Sequence, residues 1–147
     1  MPATRDIPMK NLQIATAAFL LVAISHPALA NGNPERGRDL YESRCIGCHS
    51  LDANRIGPSH RGVFGRKAGS VEGFTYSPAV KGSAVVWDQD TLTRWLTNPQ
   101  EVIPGQRMNF RVSQPQDRAD IVAYLRRESA ADQSSPPLAR FTRCAWA

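Results

Sequence analysis

Cysteine, histidine and methionine each occur only three times in 147 residues. An odd cysteine count cannot close into a purely intramolecular disulfide framework without leaving one thiol over. No internal repeat is visible, which removes the solenoid and propeller classes. A formal net charge of +5 is too small a basic excess to mark a nucleic-acid binder, and it suits an anionic partner surface equally well. Eleven prolines and ten glycines are too many for a plain helical bundle with tight loops. The balance of 41% apolar and 21% charged residues is nevertheless globular, so a wholly disordered chain is also excluded.

A membrane-spanning run is missing too. The apolar stretch 12–24 has thirteen residues and would reach only about 20 Å as a helix, short of a roughly 30 Å hydrocarbon core. Arg5 and Lys10 precede it, Pro27 breaks it, and Ala28-Leu29-Ala30 supplies the small residues a signal peptidase accepts. Residues 1–30 therefore read as a signal peptide cleaved after Ala30, with export to the periplasm. Met9-Lys10 is an alternative start to Met1. The mature chain of 117 residues carries a net charge of +4, and its only lysines are Lys67 and Lys81.

The mature chain reads as helices joined by long loops. Asn33-Pro34-Glu35 has a capping side chain, a proline suited to the first helical position and an acid at the positive end of the dipole. Residues 51–84 carry six glycines and two prolines without a helical or strand period, and read as loop. Asp88 or Asp90 caps a helix through Leu92, Trp95 and Leu96, which Asn98-Pro99 ends. Ser113 to Gln116 has the spacing of a capping box, heading a helix with Ile121, Val122, Tyr124 and Leu125 on one stripe. From Ser129 the chain turns polar and proline-rich, so residues 129–147 read as a disordered tail. Three short helices and a thirty-residue loop make a poor core by themselves. A large bound apolar cofactor would complete it.

Cys45-Ile46-Gly47-Cys48-His49 supplies that cofactor's attachment. Cys-x-x-Cys-His lets two thiols add to the two vinyl groups of one haem and sets the next histidine at the iron. A thioredoxin-type redox pair would need a βαβ setting, which the sequence lacks, and a zinc site would need a second Cys/His pair. The iron's sixth ligand has two candidates downstream, His60 and Met108. Met108 follows the rigid turn Pro104-Gly105, whereas His60 lies only eleven residues from His49, a short path to the opposite haem face. A thioether ligand favours ferrous iron and raises the reduction potential.

With those residues in place, 32–128 resembles a class I cytochrome c, mitochondrial cytochrome c and its soluble bacterial relatives in particular. The matching blocks are GNPERGRDLYESRCIGCHS from Gly32, GPSHRGVFGRKAG from Gly57, GFTYS from Gly73, then Trp87, TLTRWLTNPQEVIPGQRMNF from Thr91 and DRADIVAYLRR from Asp117. The resemblance implies an all-α class I cytochrome c fold over 31–128, three main helices plus long loops wrapped around one covalent haem. Cys45 and Cys48 would carry the thioether bonds, and His49 and Met108 would bind the iron. Pro58 would present its carbonyl to the His49 imidazole, and Arg66, Tyr76 and Trp87 would neutralise or hydrogen-bond the haem propionates. Gly37 and Tyr41 would cross Ile121 and Tyr124. Three positions depart from the family: Trp95 replaces a tyrosine near the methionine sulfur, Gln106 a threonine and Val80 an asparagine. The loop from His49 to Gly57 is also shorter than in the mitochondrial proteins. Arg44 and Arg107 keep cationic positions at the expected haem edge, while Gln100 and Glu101 replace lysines.

The function this implies is a soluble, monomeric periplasmic electron carrier that docks on a bc-type complex, an oxidase, a photosynthetic reaction centre or a dehydrogenase, with Arg44, Arg107 and Arg111 steering encounter. Two readings compete: a haem protein that binds gases or turns over peroxide once Met108 dissociates, and an electron-accepting subunit of a dehydrogenase. Cys144 is left over, either a tether to a partner or an incidental thiol.

Overall fold

A computed structural model describes residues 32–134. The expected signal peptide, its cleavage site and Cys144 lie outside them. Five helical segments follow in order: α1 (Pro34–Arg44), α2 (Pro78–Lys81), α3 (Gln89–Thr97), α4 (Pro99–Val102) and α5 (Pro115–Ser134). Among the described residues the only β pairing is an isolated antiparallel bridge between Lys67 and Val86. None of the described helices is long and apolar enough to cross a membrane.

α1 starts as its sequence dictates. The Asn33 side chain accepts hydrogen bonds from the Glu35 and Arg36 amides at 2.9 and 3.1 Å, and Pro34 occupies the first turn. The helix then crosses α5, with Gly37 and Tyr41 as its buried residues. A Cβ on Gly37 would lie 1.9 Å from the Asp120 carbonyl oxygen, so only glycine allows the two backbones this close. Two buried acids of α5 tie the crossing electrostatically. Asp117 pairs with Arg36 and, at 2.9 Å, with Arg44; Asp120 pairs with Arg36 and accepts the Asn33 amide at 2.7 Å. The Arg36 hydrogen bond holds the Asp117 carboxyl below its ordinary value. Burial works to raise Asp120, but Arg36, Asn33 and Gln116 together outweigh it and the net direction is downward.

α3 is capped by Asp88, which accepts from the Thr91 amide at 2.8 Å while the Thr91 hydroxyl receives the Asp88 amide. It buries Leu92 and Leu96 and packs on α4 and α5. From α5 the core takes Ile121, Val122, Tyr124 and Leu125.

Four sequence expectations change. The segment 51–84 contains the single turn α2, started by Ser77 and Pro78. A second single turn, α4, starts at Pro99 directly after the Asn98 end of α3. α5 begins at Pro115 rather than behind a Ser113 cap, because Gln114 precedes a proline and is steered out of the helical region. The expected end of the domain at 128 is also too early. α5 continues to Ser134, and Ser129, expected to open a disordered tail, is 2% exposed. Its hydroxyl donates to the Leu125 carbonyl at 2.8 Å and accepts the Phe64 amide at 3.0 Å, pinning the long loop to the helix. That loop is further held by the Ala68 amide on the Val85 carbonyl at 2.8 Å and the Trp87 amide on the Arg66 carbonyl at 2.9 Å.

Candidate haem site

The helices and loops enclose a cavity of about 510 Å³. Its walls include Cys45, Cys48, His49, Pro58, Arg66, Tyr76, Trp87, Trp95, Gln106 and Met108, so every predicted site residue lines one space. A cavity of that size belongs to the range that encloses cofactors.

The thiols come from the end of α1. Cys45 is its C-cap, bonded through its amide to the Tyr41 carbonyl at 2.8 Å, and the Cys48 and His49 amides turn back onto the Cys45 carbonyl at 3.1 and 2.9 Å. That turn brings both cysteines and the histidine to one edge of the cavity. Neither thiol is in a disulfide. Burial pushes the Cys45 thiol up to about 11, so it is protonated at neutral pH, while Cys48 is exposed.

His49 is held by its neighbours. Its Nδ1–H donates to the Pro58 carbonyl at 2.9 Å, which leaves the Nε2 lone pair free for a metal. Burial lowers the imidazole's affinity for a proton, partly countered by the Pro58 bond, and so favours the neutral, ligating form. The Gly57 backbone is packed against the ring: a Cβ there would sit 2.1 Å from Cε1.

Met108 is placed from two directions. The Trp95 indole N–H donates to its sulfur at 3.0 Å, and its backbone amide donates to the Gln106 side-chain oxygen. Trp95 is itself braced edge-on against Trp87, with ring centroids 5.0 Å apart. The substitutions seen at 95 and 106 therefore both act on Met108, which sequence alone left without a direction.

His60 is not the opposite ligand. Its ring stacks on His49 with centroids 4.1 Å apart and planes 21° from parallel. Two rings lying face to face cannot offer nitrogens to opposite faces of a flat macrocycle. His60 Nδ1 instead shares a 3.1 Å hydrogen bond with the Tyr41 hydroxyl. This contact was invisible in the sequence, where the eleven-residue spacing gave no orientation.

Arg66 spends Nη1 and Nη2 on the Arg61 and Ser59 carbonyls, both at 2.8 Å, so it fastens its loop while keeping its charge at the cavity wall. Burial lowers its pKa, which a nearby carboxylate would offset. The Tyr76 oxygen accepts the Val71 amide at 3.3 Å, and burial raises the phenol's pKa, leaving its O–H available to donate. The buried Nε2 of Gln106 has no hydrogen-bond partner among the described residues. An apolar occupant bearing acceptors at its rim, flanked by two thiols, an imidazole nitrogen and a thioether, satisfies all of these groups. A c-type haem has that description.

The comparisons with known proteins agree. The family model "Cytochrome c" matches residues 34–129. Cytochrome c of Cochliobolus lunatus is 42% identical over 102 residues, spanning 67% of this chain and 94% of that protein. Cytochrome c of Arabidopsis thaliana is also 42% identical, over 67% of this chain and 91% of its own. Among solved structures, cytochrome cH from Methylobacterium extorquens is 38% identical with a TM-score of 0.62, covering 65% of this chain and 99% of that one.

Proposed function

The chain belongs to the cytochrome c family, carries a c-type haem on Cys45 and Cys48, and on that premise we propose that it is an exported periplasmic one-electron carrier with His49 and Met108 as its axial ligands. The bound haem supplies the Fe(III)/Fe(II) couple. The observation that carries the reading is the pair of restrained ligands in one cavity: His49 with its Nδ1 committed to Pro58, and Met108 with its sulfur held by Trp95. Ligands fixed before the electron arrives need little rearrangement when it does. The same restraint works against release of Met108, which the peroxidase and gas-binding readings require.

Trp95 points the positive end of its N–H dipole at the ligating sulfur. This weakens the sulfur as a donor and disfavours the extra positive charge of ferric iron, so it raises the potential. Such a hydrogen bond has a net worth of about 0.5–1.5 kcal/mol. For a one-electron couple, where about 59 mV corresponds to a tenfold change in equilibrium, Trp95→Phe lowers the midpoint by roughly 20–60 mV. Potentiometry on the two proteins measures it.

Tyr76, Trp87 and Arg66 line the cavity, where they would serve as propionate partners. Electrons leave by the edge near Cys48, where Ile46 and Ile56 are 45% and 78% exposed, and Phe110, 42% exposed, lines the same cavity. Arg44 and Arg107 stand at the cavity rim, and Arg107 and Arg111 are exposed on the methionine side. An apolar centre within arginines suits brief docking on an acidic redox partner, such as a bc-type complex, an oxidase, a reaction centre or a dehydrogenase. The export reading rests on the charge, length and Ala28-x-Ala30 pattern of residues 1–30. Stopped-flow electron transfer to an acidic-faced acceptor tests the function. The rate falls as salt rises, and Arg107→Glu slows it by about tenfold at low ionic strength. A rate indifferent to both salt and Arg107 contradicts this docking mode.

A further inference from the structure

His60 is the one histidine of the cavity wall that the electron-transfer reading leaves without a role. We infer that it is a positioning residue for the iron ligand, a flat wall that fixes the plane of the His49 ring; the inference rests on His49 being that ligand. Three neighbours confine His49. Pro58 takes its Nδ1–H at 2.9 Å, the Gly57 backbone crowds Cε1, and the His60 ring covers a face at 4.1 Å between centroids. The hydrogen bond fixes one atom and tolerates a broad range of angles at the carbonyl. It therefore leaves the ring free to roll about the line from Nδ1 toward the metal. A stacked ring resists that roll, because tilting either plane separates the two faces.

The wall is itself anchored. His60 Nδ1 bonds the Tyr41 hydroxyl at 3.1 Å, and Tyr41 is 2% exposed in the α1–α5 crossing, its ring 5.3 Å from that of Tyr124. The His60 amide donates to the Ser50 carbonyl at 2.9 Å, and its own carbonyl accepts the Val63 amide at 2.9 Å. A continuous chain of contacts thus runs from the helix crossing through Tyr41 and His60 to His49. Outer partners of metal-bound histidines set ring orientation in this way.

The test uses ferric holoprotein and two readouts of ligand-plane orientation: the g-tensor from electron paramagnetic resonance and the paramagnetically shifted haem methyl resonances. The parent protein is first shown to be low-spin and histidine-ligated; if it is not, the assignment of His49 as ligand fails before any variant is compared. His60→Leu removes the flat wall, and both readouts shift. His60→Phe keeps a flat ring, and they return toward the parent. Tyr41→Phe keeps the imidazole without its anchor, and they move in the direction of His60→Leu by a smaller amount. Should His60→Leu fail to retain haem, the other two variants decide by the same criteria. Parent-like spectra for both His60→Leu and Tyr41→Phe overturn the inference. So does a His60→Phe protein that departs from the parent as far as His60→Leu does, or a Tyr41→Phe protein that matches the parent when it is judged beside His60→Phe alone.

Discussion

Met108→Ala lowers the reduction potential on the order of 0.1–0.3 V, well inside the roughly 0.8 V range that axial ligands command. Removing the thioether also frees a coordination position, so added imidazole binds the variant far more tightly than the parent. The expectation follows from three facts about this side chain. Its sulfur lines the cavity, its lone pair is aligned by the 3.0 Å bond from Trp95, and its amide is tied to Gln106. His60 does not replace it, since that ring is stacked on the other candidate ligand. Potentiometry with imidazole titration measures both effects. A potential within a few tens of millivolts of the parent, the scale set by a single hydrogen bond, would mean that Met108 is not the ligand.

Gly37→Ala has the largest expected effect on stability. The added Cβ would meet the Asp120 carbonyl oxygen at 1.9 Å, its carbon at 2.6 Å and the Tyr124 Cβ at 2.9 Å. Two of these atoms are backbone, so no side-chain rotation relieves the contact. The helices must separate, which loosens Arg36 from Asp117 and Asp120 at the same time. Overpacking of a tight interior typically costs about 1–3 kcal/mol, and this site belongs at the upper end. For a domain of about a hundred residues, roughly 3 kcal/mol lowers the melting temperature by about 12–24 °C. Thermal melts followed in the far ultraviolet on the ferric holoproteins give the number. A shift of only a few degrees would show that the crossing can open cheaply.

The two predictions mark what could and could not be read from the sequence. Local chemistry was legible: the Asn33 cap, the Asp88 cap, the Asn98-Pro99 helix end and the Cys45-to-His49 turn all form as their side chains require. The pairing of Gly37 with α5 and the proximity of Trp95 to the methionine sulfur came from family resemblance, and the geometry agrees with both. What the sequence concealed depends on partners far along the chain. Ser129 looked like the start of a polar tail because nothing nearby needs it, yet its hydroxyl serves the Phe64 amide, 65 residues away. His60 was ambiguous because spacing limits how far a side chain can reach without saying which wall it joins. Its hydrogen bond to Tyr41, nineteen residues earlier, decides that. The brief helices α2 and α4 carry no periodicity in a single turn, so only their Ser-Pro and Asn-Pro starts announce them.

The proposed function requires a closed six-coordinate site that supports reversible one-electron transfer. Potentiometric titration of the visible spectrum of the holoprotein tests it most directly. The expected result is a single one-electron transition between low-spin states, with a methionine-to-iron charge-transfer band in the ferric form that Met108→Ala abolishes. A high-spin ferric spectrum without that band, together with turnover of peroxide at neutral pH, would contradict it.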